Sequence, residues 1–125
     1  MSLQSRLLAL VNALGADVKV LRGVTTVAST ATLTPDSLTH QYQITAQAAA
    51  LAIANPTGSP ANGQAMIIRI KDNGTARAIT WSGTQYRAIG VTLPTTTVIS
   101  KTMYIGLKYN SADTKWDALA VAQEA

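Results

Sequence analysis

The chain carries few side chains that could perform acid–base or nucleophilic chemistry. It has one histidine, His40, no cysteine, and six acidic residues among 125. A histidine acts as a general base only when a partner orients it and a nucleophile lies within hydrogen-bond reach. Asp36 precedes it by four positions, so a hydrolase using His40 with Asp36 is one function hypothesis. No nucleophile elbow or comparable motif accompanies the pair, and a surface histidine is the favoured interpretation.

Metal and phosphate chemistry have equally little support in the sequence. Zinc sites need several His or Cys ligands, which this composition does not supply. No stretch shows the ligand spacing of an EF-hand calcium loop. The Gly-containing loops NPTGSPANG (55–63) and DNGTARA (72–78) lack the lysine and the following helix of a phosphate-binding loop. The sequence therefore predicts no enzyme, no cofactor and no metal site.

Aromatic side chains are the remaining means of binding a small molecule, because they stack on sugar rings. Trp81, Tyr86 and the neighbouring Arg87 form the candidate ligand-binding group, with Tyr109 and Trp116 as further aromatics. A chain without phenylalanine must also use Trp and Tyr to fill its core, so core packing is the competing interpretation. Glycan recognition by this group is kept as a hypothesis.

Composition and charge indicate one folded domain without a nucleic-acid or membrane partner. Hydrophobic residues make up 47% of the chain and charged residues 13%, unlike the composition of disordered chains. The net charge of +4 comes from scattered Lys and Arg residues, without the dense basic runs or interleaved aromatics of a nucleic-acid surface. No apolar run reaches the ~20 residues that span a bilayer.

Residues 2–22 have the spacing of a short amphipathic helix. Apolar residues recur at intervals of 4, 3, 4 and 3, which is the seam period of a coiled coil. The seam consists of Leu7, Val11, Leu14, Val18 and Leu21. Gly23 suits the C-terminal end of the helix. We predict that this helix is an oligomerisation segment, and a helix packed on its own domain is the alternative.

Residues 23–125 are predicted to form one β-rich domain. β-branched residues dominate its first part, and Pro35 with Asp36 marks a turn. Near the C terminus, apolar residues alternate on both sides of a turn at 111–113, with Leu119 and Val121 on the return strand, which predicts a hairpin. Strands at this spacing are typical of an antiparallel β-sandwich or jelly-roll-like domain. The predicted fold is therefore mainly β, preceded by a short N-terminal α-helix.

The clearest strand signal surrounds RIKDNGTARAITW (69–81). Its Asn-Gly pair at 73–74 tolerates the positive φ angles of a two-residue type I′ turn, which predicts a second hairpin. The apolar residues that alternate along its two strands are Met66, Ile68, Ile70, Ile79 and Trp81.

From Gly63 to its C terminus the chain resembles the β-rich domain of virion surface proteins of tailed bacteriophages. The motifs that carry the resemblance are IRIKDNGTARAITW (68–81), YRAIGVTLPTTT (86–97) and YNSADTKWDALAVAQE (109–124). ALVNALGADVKVLRG (9–23) is similar to the short helices that precede such domains in phage fibres. The proteins concerned are head decoration, head-fibre, tail-fibre and minor tail proteins.

The resemblance implies a structural protein of the virion, commonly trimeric and without catalytic residues. One short helix leading into one β domain favours a decoration protein on the outer capsid surface. Its expected partners are further copies of the chain and the major capsid protein or another virion protein. The alternative is a tail-fibre or minor tail protein, or a host-receptor binding tip whose loops contact cell-surface glycans.

Overall fold

The computed structural model describes the backbone of residues 2–125 and the side chains of residues 2–14 and 23–125. Within this described part, the backbone forms one helix, α1 (Leu3–Arg22), and nine strands. The strands are β1 (Val24–Val27), β2 (Thr32–Leu33), β3 (Gln41–Gln47), β4 (Leu51–Ile53), β5 (Ala65–Asp72), β6 (Ile79–Trp81), β7 (Tyr86–Ala88), β8 (Met103–Asn110) and β9 (Lys115–Gln123). The mainly β fold with an N-terminal helix is confirmed.

α1 is joined to the β domain through Gly23. The helix begins after Ser2, whose side-chain oxygen caps it, and ends at Arg22 as predicted. Gly23 is extended, with a φ of −65°, and does not adopt the left-handed conformation of a glycine cap. Its carbonyl accepts hydrogen bonds from the backbone N–H groups of His40 and Gln41, at 3.0 and 3.1 Å. The end of α1 is therefore held at the start of β3.

The chain alternates between two sheets along its first six strands. β1, β3 and β5 belong to a six-stranded sheet of order β1-β3-β5-β8-β9-β7, and β2, β4 and β6 form a three-stranded sheet. Neighbours among these six strands pair in parallel. They form three stacked coils of the chain. Each coil contributes one strand to each of the two sheets, as in a short β-solenoid.

The strand directions differ from the antiparallel arrangement that the sequence predicted. β8 pairs antiparallel with β5 and with β9, but β7 and β9 are again parallel, so the large sheet is mixed. Side chains alternate with a period of two in either kind of pairing. The apolar pattern therefore predicts strands and their buried faces without predicting their direction.

The predicted hairpin around the Asn-Gly pair at 73–74 is wrong. β5 and β6 lie in different sheets, and the pair occupies the corner where the third coil passes between them. Asp72 is buried at this corner. Its carboxylate accepts hydrogen bonds from the N–H groups of Gly74 at 3.0 Å and Ser100 at 2.8 Å, and from the Thr97 hydroxyl at 2.8 Å. Asp72 thus joins the corner to the loop that precedes β8.

Gln47 supports the corresponding corner of the second coil and is the register partner of Asp72. Its side chain is fully buried. The amide Nε2 donates to the carbonyls of Thr30 at 2.7 Å and Ala49 at 2.8 Å, and Oε1 accepts from the Thr30 N–H at 3.1 Å. These bonds offset the cost of removing the amide from water, so Gln47 can connect the corners of adjacent coils from a buried position.

The predicted C-terminal hairpin is confirmed, with one irregularity. β8 and β9 pair antiparallel, and a register shift follows Gly106. The shift leaves Leu119 outside the regular alternation, where it is 50% exposed, while Val121 packs against the core. The alternation predicted for Leu119 and Val121 is therefore interrupted.

The core lies between the two sheets and is built mainly from aliphatic side chains. The alternation predicted for Met66, Ile68 and Ile70 is confirmed, since all three are completely buried. The other buried apolar residues are Leu33, Tyr42, Ile44, Leu51, Ile53, Ile79, Tyr86, Met103, Ile105, Leu107, Trp116 and Ala118.

Candidate functional site

α1 presents an apolar stripe that the described part of the chain does not cover. The stripe consists of Leu3, Leu7, Leu10, Val11 and Leu14, which are 54% to 83% exposed. A period of 3.6 residues places all five on one side of the helix. The alternative that α1 packs on its own domain is therefore contradicted for residues 3–14. Val18 and Leu21, the last predicted seam residues, lie outside the described side chains.

Exposure of this stripe is unfavourable for an isolated chain. Covering one such aliphatic side chain is worth about 1.5–3 kcal/mol. Large contiguous patches of exposed apolar side chains often mark the sites where a protein associates with a partner. The stripe therefore has the properties of a docking surface.

Trp81 and Tyr86, the two aromatic residues of the predicted ligand-binding group, both take part in packing. Tyr86 is buried, its hydroxyl donates to the carbonyl of Ala54 at 2.8 Å, and burial raises the pKa of its phenol. Trp81 packs edge-on against it, with ring centroids 4.9 Å apart, and its indole N–H donates to the Pro94 carbonyl at 2.9 Å. Tyr86 is therefore largely enclosed by the core, whereas Trp81 beside it is only partly buried.

Arg87, the third member of that group, is held by two carboxylates. Its Nε and Nη2 donate to Asp117 at 2.7 and 3.1 Å, and Nη2 donates to Asp113 at 3.0 Å. The parallel pairing of β7 with β9 places Arg87 opposite Asp117. Hydrogen bonding raises the pKa of Arg87 and lowers the pKa of Asp117. The guanidinium charge is therefore already balanced within the chain.

A groove of about 420 Å³ lies beside this cluster. Lys108, Tyr109, Asp117 and Leu119 contribute to its lining. Asp117 is engaged by Arg87, so the groove offers an amine and part of an aromatic ring rather than a pair of free carboxylates. Sequence reasoning did not find this groove, because the bulge that exposes Leu119 depends on the pairing of β8 with β9.

His40 and Asp36 are not joined by a hydrogen bond in the described structure. Asp36 Oδ1 accepts the Leu38 N–H at 2.8 Å and so closes the turn that the sequence predicted. The half-buried His40 ring has a buried Nδ1 without a partner among the described residues. In the same part of the chain, no group of three His, Asp or Glu residues could hold a metal ion.

Comparison with protein-family models, with curated proteins and with solved structures finds no match to this chain. Among residues 2–125, no helix combines the length and the apolar character needed to cross a bilayer. Functional inference therefore rests on the geometry of the molecule and on its sequence motifs.

Proposed function

We propose that this chain is a non-enzymatic structural subunit that self-associates through α1, with a homotrimer as the expected assembly. The observation that carries the proposal is the exposed apolar stripe of Leu3, Leu7, Leu10, Val11 and Leu14. The stripe includes Leu7, Val11 and Leu14, which are the first three residues of the predicted coiled-coil seam. Packing against the same stripe of other copies would cover these side chains.

The chemistry of the β domain supports a structural role. The Asp72 carboxylate accepts three hydrogen bonds at a corner of the fold, and the Asp117 carboxylate forms an ion pair with Arg87. Both carboxylates are engaged in contacts that connect separate parts of the domain, which supports a structural role for them. A domain of this kind contributes shape and binding surface.

For the place of assembly, we propose the outer surface of a bacteriophage capsid, where the subunit acts as a decoration protein bound to the major capsid protein. The motifs between Gly63 and the C terminus support this placement. On a symmetric shell, modest contacts of each subunit add up, because the first contact raises the effective concentration for the others.

The groove beside Tyr109 favours a second candidate, a tail-fibre or minor tail protein with a glycan-binding tip. A half-buried aromatic ring next to the Lys108 amine and amide side chains is a suitable surface for a sugar. Binding on a glycan array, lost in a Tyr109→Ala variant that still folds, would support this candidate over decoration.

Self-association is tested with a matched pair of variants, Leu7→Asp and Leu8→Asp. The two leucines are adjacent and 59% and 61% exposed, but Leu8 lies about 100° around the helix, outside the stripe. Sedimentation equilibrium should show an oligomeric wild type, a dissociated Leu7→Asp variant and an unchanged Leu8→Asp variant. A monomeric wild type at high micromolar concentration, or equal effects of both substitutions, would refute the proposal.

The placement on the capsid has its own test. Electron microscopy of particles that lack the chain should show a missing protrusion on the head. An intact head together with altered adsorption would reject decoration and favour the tail-fibre candidate.

A further inference from the structure

Residues 24–34 form an open edge of both sheets, called the β1–β2 edge below. β1 is the outermost strand of the six-stranded sheet and β2 the outermost strand of the three-stranded sheet. Proteins usually protect such edges with charged side chains or proline. The segment VTTVASTATLT contains neither, and Val24 at its start is 49% exposed. This edge therefore lacks the usual protection against pairing with another strand.

The other edge of the large sheet is protected in the usual way. Arg87 lies on β7, the strand at that edge, and forms ion pairs with Asp113 and Asp117. The contrast between the two edges is therefore one of charge, because residues 24–34 carry no ionisable side chain.

The sheets also part at the β1–β2 edge and leave a cleft of about 180 Å³. Val27, Leu33, Tyr42 and Ile44 contribute to its lining, together with threonines of β1 and β2. Leu33, Tyr42 and Ile44 belong to the buried core, so the cleft connects the solvent with apolar side chains of the core.

α1 ends at this same edge. Gly23 alone separates α1 from β1, and the bonds from His40 and Gln41 to its carbonyl fix the point where the helix meets the sheet. In a cyclic trimer the α1 helices run parallel, so copies that associate through α1 have the starts of their β1 strands at the same end of the helix bundle.

α1 by itself offers only a short interface between copies. Its 20 residues span about 30 Å. Burying the stripe of so short a helix offsets only part of the conformational entropy that is lost when its backbone is ordered. A stable assembly needs additional contact area next to the helix.

We infer that the β1–β2 edge is the second part of the interface between copies, and that its occupant is the same edge of another copy of this chain. The inference rests on the proposed self-association through α1. In a closed ring of copies, the uncharged edges face one another beside the helix ends, cover Val24 and close the cleft.

A charge placed on the edge tests the inference in the full chain. Thr25→Lys adds an ammonium group at an exposed position of β1, and Thr80→Lys adds the same group at an exposed position of β6. Because the copies would bring like charges together, Thr25→Lys should raise the dissociation constant of the oligomer at least about tenfold. Thr80→Lys should leave it unchanged, and both variants should keep the thermal midpoint of the diluted wild type.

The Leu7→Asp variant separates the two ways of failing. If the wild type is monomeric, the proposed self-association fails and this inference fails with it. If Leu7→Asp dissociates the oligomer while Thr25→Lys behaves like Thr80→Lys, self-association stands and the edge contact is overturned.

Cross-linking supplies a second measurement that does not depend on affinity. The chain has no cysteine, so Val24→Cys and Thr80→Cys each introduce one thiol. A short bismaleimide added to the assembled protein should link copies of Val24→Cys and leave Thr80→Cys as single chains on a denaturing gel. Equal linkage of the two variants, or none in Val24→Cys, would overturn the inference.

Discussion

α1 and the β strands carry the same kinds of apolar residue in opposite surroundings. Leu7 and Leu14 are more than half exposed, whereas Ile68 and Ile105 are completely buried. In the strands, a period of two directs alternate side chains into the space between two sheets. In α1, a period of 3.6 gathers the leucines on one side, and no described side chain of the same molecule packs there. The β domain therefore buries its apolar residues within one chain, whereas the stripe of α1 is left uncovered by the described part of the same chain.

The largest effect that tests this contrast is the removal of a core side chain. Ile68→Ala should lower the free energy of unfolding of the β domain by about 2–5 kcal/mol, because it leaves a cavity between the sheets. Leu10→Ala removes a side chain of similar size from the stripe and should change this free energy by less than about 0.5 kcal/mol.

Both values are measured by urea denaturation at a concentration where the chain is monomeric, with the buried Trp116 as the fluorescent probe. A loss in Leu10→Ala equal to that in Ile68→Ala would show that α1 packs on its own domain after all.

The next effect concerns the buried charge of the β domain. Asp72→Asn should lower the free energy of unfolding at neutral pH by about 1–3 kcal/mol, because an amide group replaces one oxygen that accepts from the loop before β8. Asp36→Asn is the control, since Asp36 is less buried and Asn also closes such turns. Thermal unfolding followed by circular dichroism measures both variants, and equal losses would contradict the assignment of Asp72 to a supporting role.

The same substitution should change the response to acid. Burial alone would raise the pKa of Asp72, but the hydrogen bonds from Ser100, Thr97 and Gly74 outweigh it and hold the pKa below its ordinary value. The unfolded chain then takes up this proton at a higher pH than the folded chain. The contribution of Asp72 to stability is complete above about pH 5 and is lost as the pH falls through about 4 and below. Parallel acid profiles of Asp72→Asn and wild type would contradict this cause.

The smallest effect is expected at the exposed rim of the β domain. Arg87→Gln breaks the ion pairs with Asp113 and Asp117 but leaves a half-exposed site that water can solvate. The thermal midpoint should fall less than in Asp72→Asn, and the difference from wild type should shrink at high salt. Arg69→Gln is the control, because Arg69 forms no ion pair among the described side chains. A loss that salt does not reduce would contradict an electrostatic origin.

Local sequence patterns determined several features of this molecule. The period of the leucines predicted the helix that the structure places at Leu3–Arg22, and alternation predicted the burial of Met66, Ile68 and Ile70. The turn at Asp36 and the C-terminal hairpin also follow from neighbouring residues. All these features depend on the contacts of a residue with its near neighbours or with the nearest apolar surface.

Features that join distant parts of the chain were decided only by the tertiary structure. The sequence predicts that Asp72 lies in a hairpin turn. In the structure it is buried at a corner, because Thr97 and Ser100 of another loop donate hydrogen bonds to its carboxylate. Arg87 is paired with Asp117 because β7 and β9 lie side by side.

The physical reason is that a strand has the same side-chain period whether its neighbour runs parallel or antiparallel to it. The alternation of apolar residues therefore determined what is buried in this protein. The packing of three coils against one another decided which strands are neighbours, where the chain turns and which charges meet.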